Sequence, residues 1–132
     1  MAVADLRAFA RRYANAWCSQ DAKSVASFFS EGGSLSVNDD PPAVGRLAIT
    51  AVAQAFMTAF PDMRVSLDDV QGEGGQAVFK WTLTGTNTGP GGTGKSVRIS
   101  GQEAWRFGAD RLIAESIGTF NSAEYARQLA GS

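Results

Sequence analysis

The sequence predicts an α+β fold, a cone of curved antiparallel sheet packed on N-terminal helices. Apolar residues recur at helical spacing up to Pro61, and from Val65 to Phe120 the period changes to two. Helices and strands segregated along a chain in this way build an α+β domain rather than a parallel doubly wound sheet. A chain of 132 residues with 44% hydrophobic content has room for one core, so residues 1–132 read as a single domain.

The elements follow from local chemistry. Asp5 is placed to cap a first helix in which Leu6, Phe9, Ala10, Tyr13, Ala14 and Trp17 form one stripe and Arg7, Arg11 and Arg12 face away. Asp21 caps a second, short helix that carries Val25, Phe28 and Phe29 inward and stops at Gly32-Gly33. Leu35 and Val37 share one face of a short strand, and the prolines of Asn38-Asp39-Asp40-Pro41-Pro42 impose a loop. A third helix starts near Gly45 or Arg46, presents Ile49, Val52, Ala53, Phe56, Met57 and Phe60, and ends at Pro61. Four strands then form an antiparallel meander, with turns at Gly72-Glu73-Gly74-Gly75, Gly89–Gly94 and Gly108-Ala109-Asp110. Gly85, Gly101 and Gly118, inside these strands, are expected at bulges or bends. A last helix covers Ser122 to Leu129.

Composition excludes several function classes. Lys and Arg total 12 against 13 Asp and Glu, and this near-neutral balance marks neither a nucleic-acid nor an anionic-membrane partner. No stretch approaches the roughly 18 apolar residues of a membrane span. Met1-Ala2-Val3-Ala4-Asp5 lacks the basic and apolar regions of a signal peptide, so a cytoplasmic location is expected. The chain contains no histidine, which removes Ser–His and Cys–His nucleophile pairs and His-based metal sites. Cys18 stands alone and reads as an inert thiol. Asp39-Asp40 and Asp68-Asp69 read as loop or strand-edge charges rather than metal ligands, and no cofactor is expected. Gly89 to Ser96 matches Gly-x-x-x-x-Gly-Lys-Ser literally, but Val97, Arg98, Ile99 and Ser100 alternate as a strand where a phosphate-binding loop needs a helix.

Several strings resemble the SnoaL-like family of the NTF2-like superfamily, whose best-known members are polyketide cyclases. They are Tyr13-Ala14-Asn15-Ala16-Trp17, Gly45-Arg46-Leu47-Ala48-Ile49, Phe60-Pro61-Asp62-Met63-Arg64, Trp81 to Gly89 and Arg127-Gln128-Leu129-Ala130-Gly131. The resemblance implies a cone of sheet and helices around a pocket for a small hydrophobic molecule, and a homodimer. Two positions depart from the cyclases. Asn87 stands where they carry histidine, and Asn121 where they carry the acid–base aspartate, with Ile117 replacing a frequent tryptophan. An amide has no usable proton equilibrium near neutral pH, so the cyclase chemistry is not expected at Asn121.

The candidate site residues each have two readings. Glu103 shares a parity with Ile99, Trp105 and Phe107; facing a pocket, it is a candidate general acid or base. A register flip at Gly101, or an ion pair with Arg98, Arg106 or Arg111, is the preferred alternative. Glu115 shares a parity with Ile113, Ile117 and Asn121, and either enters the pocket or pairs across strands. Asp40 lies near where related isomerases place a base, with an exposed turn as its default. Asn121 heads an Asn-x-x-Glu capping box with Glu124, and otherwise joins Asn87 and Tyr13 as a hydrogen-bonding group. Trp17, Phe56, Trp81 and Trp105 are core or pocket wall. Two functions remain open: a pocket protein with cofactor-independent isomerase, cyclase or hydrolase activity, and a noncatalytic binding or dimerisation module.

Overall fold

The computed structural model describes residues 3–131, so the reading of Met1-Ala2 lies outside the described residues. Helix α1 (Val3–Cys18) buries Leu6, Phe9, Ala10, Tyr13, Ala14 and Trp17, the predicted stripe. Asp5 does not cap it. The helix already starts at Val3 and leaves Asp5 in the first turn, where its charge complements the helix dipole. Helix α2 (Ala22–Ala26) is capped by Asp21, which accepts from Lys23 N at 3.2 Å.

This second helix stops earlier than Gly32-Gly33. Strand β1 (Phe29–Val37) begins at a fully buried Phe29 and carries both glycines within it, at a register irregularity between Phe29 and Ser34. A Cβ on Gly33 would stand 2.8 Å from the Ile113 carbonyl oxygen, so this glycine permits a close strand approach rather than a helix stop. A two-residue edge strand β2 (Ala43–Val44) precedes helix α3 (Arg46–Ala59), which buries Ile49, Ala53 and Met57 and ends two residues before Pro61.

Strands β3 (Arg64–Glu73), β4 (Gln76–Thr86), β5 (Ser96–Phe107) and β6 (Ile113–Phe120) form the expected meander, and helix α4 (Ser122–Ala130) follows. The sheet is larger than predicted. Its six strands run in the order β2-β1-β6-β5-β4-β3, with β1 parallel to β6. A parallel pair joins segments far apart in sequence, and local periodicity carries no trace of that pairing. Helix α1 packs on β3, α3 on β1, and α4 on β5.

The pairing is irregular between Leu67 and Asp69 in β3 and where β5 Arg106–Phe107 meets β6. No bulge falls at Gly85, Gly101 or Gly118, where pairing continues without a register shift. These glycines serve close approach instead. A Cβ on Gly101 would lie 2.6 Å from the Trp81 ring and 2.5 Å from the Thr119 carbonyl oxygen. The Gly89–Gly94 loop joins antiparallel β4 and β5, closed by Asn87 N to Lys95 O at 2.8 Å, and Ser96 continues directly into strand.

The core is aromatic. Trp105 stacks on Phe79 with ring centroids 5.0 Å apart, and Tyr13 meets both edge-on at 5.1 and 5.5 Å. Such pairs add roughly 0.5–1.5 kcal/mol each beyond the area they bury. Among the described residues no helix is long and apolar enough to cross a membrane.

Gly101→Ala tests the close-approach assignment. The added methyl must displace the Trp81 indole or the β6 backbone, so urea denaturation should show a loss of about 1–3 kcal/mol. An unchanged midpoint would return Gly101 to the role of a simple strand residue.

Candidate functional site

Helices α1, α3 and α4 meet one face of the sheet and leave a partly open cavity of about 70 Å³. Its wall is almost entirely apolar. Trp17 comes from α1, Phe56 from α3, Tyr125 from α4, and Trp81, Ile99 and Phe120 from the sheet. Of the residues expected there, Trp17, Phe56 and Trp81 line it. Glu103 does so too, and is the one ionisable carboxyl in the wall.

Glu103 is 7% exposed and faces inward, as strand alternation places it. Neither preferred alternative for it holds. The β4–β5 register runs unbroken through Gly101, and no ion pair reaches Glu103 among the described residues. Its Oε1 accepts three hydrogen bonds: Tyr13 Oη at 2.9 Å, Trp105 Nε1 at 3.1 Å and Ser116 Oγ at 2.6 Å. Oε2 takes none of them. Burial pushes the Glu103 carboxyl above its ordinary value, against the opposing pull of the Ser116, Trp105 and Tyr13 hydrogen bonds. The Tyr13 hydroxyl is pushed well above its ordinary value by burial and then by the neighbouring Glu103 charge.

Tyr13 and Trp105 are core residues behind the cavity rather than part of its wall, at 0% and 2% exposure. Ser116 escapes sequence reasoning because β6 changes parity. Arg106 pairs with Glu115 and Phe107 with Ile113, which leaves Ala114 as an extra residue. Ile113 and Ser116 therefore face inward together, and both are fully buried.

The same bulge turns Glu115 and Ile117 to the outer face. Glu115 lies 4.0 Å from Arg106 there, and Ile117 is 44% exposed. Asp40 sits exposed in the turn after β1, its N–H bonded to Val37 O at 3.1 Å, outside the cavity wall. Asn121 caps α4, accepting from Glu124 N at 2.9 Å. Only half of the capping box forms, because the Glu124 carboxylate binds Arg127 instead. Asn87 clamps its loop, donating to Ala59 O at 3.1 Å and accepting from Thr93 N at 2.8 Å. Its amide is spent on the fold.

Among the described residues, the buried indole nitrogens of Trp17 and Trp81 have no partner within strict hydrogen-bond geometry. The Trp17 N–H is directed at the Tyr13 hydroxyl and opposes the rise of that hydroxyl above its ordinary value. A buried donor left unsatisfied costs about 1–3 kcal/mol relative to a satisfied one. Elsewhere, Cys18 Sγ accepts from Val65 N at 3.1 Å and donates to Val65 O at 3.3 Å, joining α1 to β3. Asp68 accepts from the Thr82 hydroxyl, and Asp69 faces Arg7 at 3.6 Å. Among the described residues no group of three or more Cys, Asp or Glu is placed to hold a metal ion.

The architecture is shared with solved structures. TsrD from Streptomyces laurentii superposes with a TM-score of 0.85 at 18% identity, over 100% of this chain and 99% of that one. A protein of ketosteroid isomerase-like fold from Catenulispora acidiphila, solved with trimethylamine, gives 0.81 at 12% identity over 92% of each chain. A candidate SnoaL-like polyketide cyclase from Jannaschia sp. CCS1 gives 0.79 at 19%, over 92% of this chain and 88% of that one. At these identities the likeness establishes the NTF2-like fold alone. No curated protein matches the chain in sequence. The sequence model of the SnoaL-like domain matches residues 10–116, most of the chain from the middle of α1 into β6, and the protein belongs to that family.

Proposed function

We propose that this protein binds a small, largely apolar molecule in the cavity and moves a proton on it without a cofactor, with Glu103 as the acid–base group. One observation carries the reading: a buried carboxyl lines an apolar cavity, has no cationic partner among the described residues, and keeps Oε2 clear of the bonds that hold Oε1. A carboxyl raised by burial is a stronger base when ionised and is closer to the neutral range where acid and base forms coexist. The reaction class is proton abstraction and return beside a carbonyl, as in isomerisation or cyclisation. In isomerisation Oε2 takes the proton from carbon, the electron pair moves to the carbonyl oxygen, and the same proton returns at another carbon; in cyclisation the carbanion instead bonds to a second carbonyl carbon, and the proton passes to the alkoxide formed there. Tyr13, Trp105 and Ser116 hold the carboxyl in place and do not touch the ligand.

A noncatalytic binding or dimerisation module is the second reading. It is favoured by the three donors on Oε1, which also suit Glu103 to a purely structural post, and by the use of Asn87 and Asn121 in the fold. Homodimer formation belongs with either reading, and the exposed Ile117 on the outer face of the sheet supports it.

Two measurements test these statements. Hydrogen–deuterium exchange beside the carbonyl of cyclohexanone and 2-cyclohexenone, followed by NMR in D₂O, should be accelerated by the wild type. Glu103→Gln should lower that rate at least 100-fold, the lower range for a positioned acid–base group. A wild-type rate equal to buffer removes the catalytic reading. The second measurement is stability against pH. Below about 4.5, the ordinary Glu103 value, the carboxyl is protonated in both folded and unfolded chains. Above it, the unfolded chain releases a proton that the folded chain retains, so folding stability falls until the folded carboxyl has also ionised. Glu103→Gln should lack that fall, and parallel stability curves for the two proteins would contradict a raised Glu103.

A further inference from the structure

We propose that helix α4 is a gate over this cavity, with Tyr125 blocking the entrance, Gln128 latching the helix to the sheet and Asn121 as the pivot. This rests on the cavity being a ligand site, and states how a guest enters it. The space of about 70 Å³ is half that of a cavity that holds benzene, on the order of 150 Å³. A ring-sized guest therefore enters only after part of the wall moves.

The anchoring of each wall element identifies that part. Trp17 stands on α1, whose stripe is buried from Leu6 onward, and Phe56 on α3, which buries Ile49, Ala53 and Met57. The strand walls are paired within the sheet. Helix α4 buries no residue. It leans on the core through the half-buried Tyr125 and Leu129, and the Tyr125 ring meets Phe60 at 6.3 Å and Phe120 at 5.5 Å. Elements with few buried apolar contacts open at the lowest free energy.

The latch has a topological origin. Strand β6 stops pairing at Phe120, opposite Gly101, so the first residues of β5 keep a free edge beyond it. Arg98 lies in that stretch, and Gln128 stands in for the missing strand. Its Oε1 accepts from Arg98 N at 2.6 Å, and its Nε2 donates to Arg98 O at 3.0 Å. A side-chain amide matches a free strand edge because it carries both a donor and an acceptor, and it releases without breaking a ladder bond. The pivot follows from the same ending. Phe120 is held by its pairing with Gly101 and by its N–H on Asn38 Oδ1 at 2.9 Å, and Ser122 is already helical. Asn121 between them has an extended backbone, and such terminal residues absorb hinge rotations.

The experiment uses the full chain and 2-naphthol, a neutral apolar fluorophore that takes up energy from the wall tryptophans. Backbone amides of residues 126–131 should exchange with D₂O about 100-fold faster than those of β4 and β5, at a rate that low urea leaves unchanged. Exchange of α4 only together with the whole fold overturns the gate. Stopped-flow binding then separates a gate from a helix end that merely frays. Gln128→Ala removes both latch bonds, so association and dissociation should each rise about tenfold. The affinity should stay nearly constant, because the latch is the same in free and bound protein. Tyr125→Ala should also raise both rates, and adding Gln128→Ala to it should change them little further. Rates that Gln128→Ala leaves unchanged, or a rise in dissociation alone, overturn the gate and leave the pocket standing. No binding to the wild type or to either variant overturns the pocket and the gate together.

Discussion

Glu103 Oε1 gathers hydrogen bonds from Tyr13 on α1, Trp105 on its own strand and Ser116 on β6. The first helix, the central strand and the strand that bridges to β1 are thereby registered against one atom. Burying a carboxyl without partners would cost several kcal/mol. Three donors, one of them at 2.6 Å, recover much of that cost while the group remains inside the aromatic core. The arrangement also explains why Tyr13 is fully buried yet satisfied, since its hydroxyl has an acceptor waiting in the sheet.

The hollow beside this post follows from the same packing. Flat rings on α1 and α3 meet a sheet interrupted by bulges, and the cavity lies between them. Trp17 and Phe56 meet edge-on at 6.1 Å on the helical side, and Trp81 and Phe120 meet at 6.0 Å on the sheet side. The Trp81 ring lies against a position without a side chain, Gly101. Gly101 thus shapes the cavity by what it omits, and the inserted residues lie elsewhere in the sheet.

Much of the fold was legible because it is local. The stripe from Leu6 to Trp17, the stop before Pro61 and the alternation from Val97 to Phe107 are all written at short range. Two features were not. Strand β1 was partly read as helix because Phe28-Phe29 before Gly32-Gly33 looks like a helix end; its partner β6 lies some 80 positions away and leaves no local mark. The inward turn of Ser116 and the outward turn of Glu115 and Ile117 depend on one extra residue, Ala114, and a bulge reverses every parity beyond it. The site was legible to the same degree. Glu103, Trp17, Phe56 and Trp81 follow from alternation and helical spacing, whereas the identity of Glu103's partners required the three-dimensional contacts. Asn121 shows the opposite case, since its capping bond is fixed by a spacing of three and visible in sequence alone.

The buried carboxyl gives the cavity two chemical states. With Glu103 neutral, the carboxyl can offer an O–H donor, and the Tyr125 hydroxyl belongs to the same wall. Such a set stabilises an oxygen that gains negative charge, because donors fixed in an apolar wall need no reorganisation as that charge develops. With Glu103 ionised, Oε2 becomes the anionic acceptor of the wall, the recipient that the proposed proton transfer requires. Loss of the C–H proton to Oε2 and growth of charge on the ligand oxygen are two halves of one event. In the proposed reaction Glu103 serves the first half, without a histidine or an aspartate at the end of the last strand. On the proposed reading the amides at Asn87 and Asn121 remove nothing from this site, because Glu103 sits on β5 and both amides are bonded within the fold.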